Sequence, residues 1–128
     1  MRQSPLFVKA FDLMQWLVPR TLAFPKSQRG VLARRVQEHV FALYEALVDA
    51  GLADEPLPHL RQADANLAKL RSYLRLSHEL SLLSTAQYGY ASQQMAEVGR
   101  LLGAWIRTLD GEGGAPTGRP RSKAVSAA

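Results

Sequence analysis

Apolar residues recur along this chain at intervals of three and four, the spacing that lines one face of an α-helix. Sustained alternation is missing, and no Asn-Gly or Asp-Gly pair joins two apolar runs, so strands are not expected. Ser4 and Pro5 supply an N-cap and a proline at the first helical position. From there Leu6, Phe7, Ala10, Phe11, Leu13, Met14 and Leu17 carry a first helix, which Pro19 is expected to end or kink. "AFPKS" makes the turn, with Ser27 as the predicted cap of a second helix running to Ala50 and Gly51 as its stop. Its core stripe is Leu32, Val36, Val40, Leu43 and Leu47, while Phe41, Tyr44 and Val48 lie on another side. "GLADEPLPH" carries two prolines and reads as a loop before a third helix from about Leu60 to Leu83. Ser84-Thr85-Ala86-Gln87 is a capping box. It opens a fourth helix whose inward face is Tyr88, Ala91, Met95, Val98, Leu102, Trp105 and Leu109.

Four helices joined by short connections predict an all-α fold, an antiparallel up-down four-helix bundle. Helices two to four would each hold about 24 residues and span roughly 36 Å. The bundle is expected over residues 1–109. Residues 110–128, rich in glycine, proline and small side chains with Arg119, Arg121 and Lys123, are expected to form a disordered basic tail.

The third helix carries more apolar surface than one bundle interior requires. Leu67, Leu70 and Leu74 form one stripe, and Tyr73, Leu76, Leu80 and Leu83 form a second on nearly the opposite side. Arg71, Arg75 and His78 occupy a flank between them, at spacing i, i+4, i+7. An apolar surface left over after a bundle closes calls for a partner protein or a second copy. The second stripe, with Phe41 of helix two, is therefore the expected oligomer interface. Repetition by symmetry would turn the basic flank into a wide positive surface.

Composition sharpens this picture. The chain has 128 residues, enough for one domain, and a formal net charge of +5 with arginine well ahead of lysine. That balance suits a polyanion and favours forked contacts to phosphate or carboxylate. Lys69, Arg34, Arg35, Arg100 and Arg107 join the flank of helix three as candidate binding residues. The plainer alternative is a salt-laced solvent surface, because Glu38, Glu45, Asp49, Glu79 and Glu97 are interspersed among them. Cysteine is absent, which excludes disulfide and thiolate chemistry and fits the cytoplasm. Lys9, Asp12 and Gln15 interrupt the apolar start, so it reads as a helix rather than a signal peptide. No run approaches the ~18 apolar residues of a membrane span.

Catalytic constellations are missing from the sequence. His39, His59 and His78 stand without a His-x-x-x-His or Glu-x-x-His partner, and there is no P-loop or nucleophile elbow. His39 is expected at the edge of the core, with its ring satisfied there. No metal, cofactor or enzymatic activity is expected. Gly99 and Gly103 form a G-x-x-x-G on helix four, read as a place where a neighbouring helix approaches closely.

The runs "FDLMQWLVPRTLAFPKSQRGVLARRVQ", "ANLAKLRSYLRLSHELSLLS" and "QMAEVGRLLGAWIR" resemble the accessory variability determinant (Avd) family. These are small helical proteins of diversity-generating retroelements, akin to the four-helix proteins encoded in bacterial ribosomal RNA intervening sequences. The resemblance spans roughly residues 6 to 108. Its marks are the "FP+SQR" turn (Phe24 to Arg29), the "LR-x-x-LRL" row and the "GR-x-LG-x-W" run of helix four. It implies a homopentameric barrel of four-helix bundles with a basic surface. It also implies association with a reverse transcriptase and with RNA and DNA, of weak sequence specificity, during mutagenic retrohoming. Arg71 and Arg75 match the family's basic row on helix three, where His78 stands in place of a permanent cation. The alternative function is a structural oligomeric module that binds protein and no nucleic acid.

Overall fold

In a computed structural model, which describes residues 4–114, the chain forms four long antiparallel helices. They are α1 (Ser4–Leu22), α2 (Arg34–Leu52), α3 (Leu57–Glu79) and α4 (Thr85–Gly114). α1 packs on α2 and α4, and α3 packs on α2 and α4, so the helices follow one another around a square. That is the up-down bundle the apolar spacing predicts, and no strand occurs among the described residues.

The predicted stripes meet in the middle. Leu13, Leu17, Val36, Val40, Leu43, Leu47, Leu67, Leu70, Leu74 and Leu102 are all fully buried. Fully burying a Leu or Val side chain contributes about 1.5–3 kcal/mol against leaving it in water, so this column dominates the stability of the fold.

The helix ends depart from the sequence reading, each for a local reason. Pro19 lies inside α1 and does not end it. Side chains that follow it bond to carbonyls that precede it: Arg20 Nη1 donates to the Trp16 carbonyl at 3.1 Å and the Thr21 hydroxyl to that of Val18 at 2.8 Å. The buried Thr21 hydroxyl also accepts from Gln37 Nε2 at 2.8 Å, tying α1 to α2. Ser27 is not a cap. A short helical turn at Lys26–Gln28 starts after Pro25, whose carbonyl accepts from the Gln28 and Arg29 N–H groups. A wide π-turn over Arg29–Ala33 then leads into α2 and places Leu32 and Ala33 in the core. Gly51 lies within α2 and does not stop it; a Cβ there would stand 3.3 Å from Phe7 Cζ, so the glycine lets the first turns of α1 approach.

α3 begins at Leu57, since Pro56 caps it and Pro58 fits its first turn, where no N–H is needed. It ends at Glu79 rather than Leu83. Ser81 takes a left-handed backbone (φ 64°), which reverses the chain. The capping box forms as the sequence predicts: the Gln87 N–H donates to Ser84 Oγ at 3.0 Å and the Ser84 N–H to Gln87 Oε1 at 2.9 Å. α4 runs on to Gly114, and residues 115–128 of the expected tail lie outside the described residues.

The second stripe of α3 divides. The end of α3 at Glu79 turns Leu83 inward, where it is 3% exposed, so it is removed from the expected interface set. Tyr73 is half-buried and stacks on His39 of α2, with ring centroids 5.5 Å apart. The same histidine's Nδ1 sits 3.0 Å from Asn66 Oδ1, which satisfies it at the edge of the core. Leu76 and Leu80 remain in solvent at 44% and 51% exposure, and Phe41 at 42%.

Candidate nucleic-acid interface

Along the antiparallel α3–α4 seam, residues of α3 face residues of α4 in order. Leu67 reaches Gly99, Arg71 reaches Met95 and Gly99, and His78 reaches Tyr88. The flank read from the sequence is therefore one surface feature along this seam, although its three members end in different surroundings.

Arg71 lies across α4. Its Nη2 donates to the Met95 carbonyl at 3.4 Å, and no ion pair is formed by it among the described residues. Gly99 leaves the space for this pose: an ideal Cβ at that position would stand 2.6 Å from Arg71 Nη2. Arg75, one turn on, points into solvent and approaches Glu79 at 3.9 Å with both side chains well exposed. A pair of that kind contributes little. The His78 ring lies flat on Tyr88, with centroids 4.7 Å apart, and its Nε2 is 3.3 Å from Thr85 Oγ1. The imidazole thus ties the end of α3 to the start of α4.

The remaining candidates do not gather on the seam. Arg100 is held by Glu97 through two contacts, Nε to Oε1 at 3.1 Å and Nη2 to Oε2 at 2.6 Å. Each partner favours the other's charged form: the Arg100 hydrogen bond lowers the Glu97 pKa, and Glu97 raises that of Arg100. Arg35 bonds Glu38 at 3.4 Å on α2, beside the exposed Arg34. Lys69 is exposed on α3 without an ion pair among the described residues. Arg107 lies along α4 with Nη1 3.3 Å from where a Cβ of Gly103 would be. The G-x-x-x-G of α4 thus leaves room for two guanidinium groups, and at Gly99 the atoms that come close, of Arg71 and Leu67, belong to the neighbouring helix α3.

Sequence reasoning missed Gly99 as the seat of Arg71, Tyr88 as the platform under His78, and a third cluster on the α1–α4 side. There Arg20 lies over the Trp16 ring at 4.5 Å, and Trp16 packs on Tyr90 at 4.9 Å. The aromatic types were visible in the sequence, and Arg20 lies one turn from Trp16, but the ring pairings Trp16–Tyr90 and His78–Tyr88 join different helices. A shallow groove between α1 and α2 is lined by Met14, Phe41, Tyr44, Glu45, Val48 and Asp49. Among the described residues no three His, Asp or Glu side chains gather as a metal site, and no helix is long and apolar enough to cross a membrane.

Comparison with known proteins agrees with this architecture. The family profile described as bAvd-like matches residues 6–109. A crystal structure of a protein with unknown function from the S23 ribosomal protein family of Bacteroides thetaiotaomicron superposes with a TM-score of 0.77. The likeness covers 84% of this chain and 99% of that one at 14% identity, a likeness of fold. No curated protein matches the chain.

Proposed function

Since the chain belongs to the bAvd-like family, we propose that it is a non-catalytic accessory protein of a diversity-generating retroelement. In this reading it assembles as a homo-oligomer, a pentamer by its resemblance to the family, and acts in the cytoplasm as a basic scaffold. The scaffold holds a reverse transcriptase together with RNA and DNA while template RNA is copied into mutated cDNA.

One observation carries the reading. Leu76 on α3 and Leu80 just past its end stand in solvent, while Arg71, between one and two turns before Leu76, lies across the α3–α4 seam without an acidic partner among the described residues. Apolar exposure next to an uncompensated fork-shaped cation suits a surface that packs against a copy of itself and presents charge beside the joint. Arg75 adds a second cation that a phosphate can draw away from Glu79, because that exposed pair is weak.

The test is electrophoretic. The purified protein at low salt should retard a labelled RNA–DNA hybrid, and retention should fall steeply as salt rises, since each neutralised phosphate releases counterions. Arg71→Ala/Arg75→Ala should bind much more weakly. Equal retention by both proteins would remove the site assignment. An intact oligomer that retains no nucleic acid at any salt concentration would instead favour the module that binds only protein.

A further inference from the structure

We infer that Gly99 is a positioning residue, which holds the Arg71 guanidinium in a fixed pose across α4 so that its remaining N–H groups are aimed at a phosphodiester. The inference rests on the proposed binding role of the α3–α4 seam and deepens it.

Gly99 has no backbone reason to be glycine. It lies inside α4 and shows no left-handed φ, and helix-interior glycine is unfavourable relative to alanine. Its use therefore lies in space. The three heavy atoms nearest to such a Cβ belong to Arg71 and to Leu67, and only an Arg71 atom, Nη2 at 2.6 Å, is closer than contact allows. Leu67 Cδ2, at 3.4 Å, is at ordinary packing distance. A methyl group at this position would thus leave the core where it is and push the end of one flexible side chain out of its seat.

The seat matters because an arginine in water loses much conformational freedom when it grips a ligand. Here one amino group already bonds the Met95 carbonyl, which leaves the rest of the fork oriented before a ligand arrives. The chemistry that fits is a singly charged phosphate oxygen pair on a nucleic-acid strand, gripped by parallel N–H donors. Gly103 offers a milder version of the same device to Arg107, with a contact of 3.3 Å instead of 2.6 Å.

The experiment uses the full chain and the labelled RNA–DNA hybrid, with Gly99→Ala, Arg71→Ala and the double variant. Gly89→Ala serves as control, since nothing lies within 4 Å of a Cβ there. Gly99→Ala should keep its helicity, melt no lower than the parent, and bind about tenfold more weakly, as expected when one charge-assisted contact is lost. The double variant should bind no more weakly than Arg71→Ala alone. Gly103→Ala should show a smaller loss, and Gly89→Ala none. In the nucleic-acid-free protein, nitrogen NMR should show slowed rotation of the Arg71 guanidinium that Gly99→Ala releases.

Parent-like binding by Gly99→Ala beside weak binding by Arg71→Ala would overturn the role of Gly99 and leave the seam as the binding site. Parent-like binding by Arg71→Ala would overturn the seam assignment itself, and the NMR readout would still judge the seating of the guanidinium. Loss of helicity in Gly99→Ala would count against the inference, because it would mean that the Leu67 packing is disturbed and that displacing the Arg71 guanidinium does not make the room a methyl group needs.

Discussion

The inner and outer faces of α3 are built from the same residue type and behave in opposite ways. Leu70 has no exposure at all, whereas Leu76, less than two turns along, is 44% exposed. The arginines beside them diverge too. Arg71 lies across α4 against a backbone carbonyl, while Arg100 on the neighbouring helix is neutralised by the two oxygens of Glu97. A small bundle can bury one stripe per helix. Whatever apolar or charged surface remains is settled by what stands beside it, and on this helix part of it is left without a partner among the described residues.

Leu70→Ala should give the largest effect, a loss of about 2–5 kcal/mol, since it empties a site with no solvent exposure. Leu76→Ala should stay within about 0.5 kcal/mol for the isolated subunit. Denaturant melts of both compare the faces directly, and equal losses would erase the distinction. Leu76→Asp tests what the outer face is for. A carboxylate placed in an apolar contact is costly, so the mass by light scattering should drop while helicity persists. A parent mass would show that the face is not an interface.

The two arginines give the next contrast. Arg71→Ala should weaken hybrid binding about tenfold, and Arg100→Ala less than about threefold, because its charge is already spent on an exposed pair. Equal losses in a binding titration would mean that Glu97 does not shield Arg100. Smaller still, Ser84→Ala should lower stability by about 1 kcal/mol through loss of the capping bond to the Gln87 N–H, with binding unchanged.

The smallest effect concerns pH. The Arg100 hydrogen bond holds the Glu97 pKa below its ordinary value, so its contribution is complete above the ordinary carboxylate range and vanishes as pH falls through the lowered pKa. Glu97→Gln should therefore raise hybrid affinity slightly at neutral pH by freeing Arg100, and flatten any gain that the parent shows in acid. A fall in affinity would reverse the assigned role of the pair.

The capping box of Ser84 and Gln87 was legible because its donors and acceptors lie within one turn of chain. The same holds for the buried stripes, whose spacing is a property of a single helix. The end of α3 was not legible. Leu80 and Leu83 continue the apolar spacing, and only the left-handed turn at Ser81 and the burial of Leu83 show that the helix has stopped. Of the candidate site, the row Arg71, Arg75 and His78 could be read as one flank, but not what each side chain meets. His78 finds Tyr88, Arg75 finds Glu79, and Arg71 finds Gly99.

By itself the sequence determined that this chain is helical, which residues each helix turns inward, and that α3 has more apolar surface than one interior absorbs. Those are consequences of a fixed rise and rotation per residue, which any stretch of helix obeys in isolation. Tertiary structure alone decided which leucines stay wet, which arginine lies across a neighbouring helix, and what stands over the glycine in the middle of α4. Each of these depends on a distance between atoms of different helices, and that distance is set only when the helices pack.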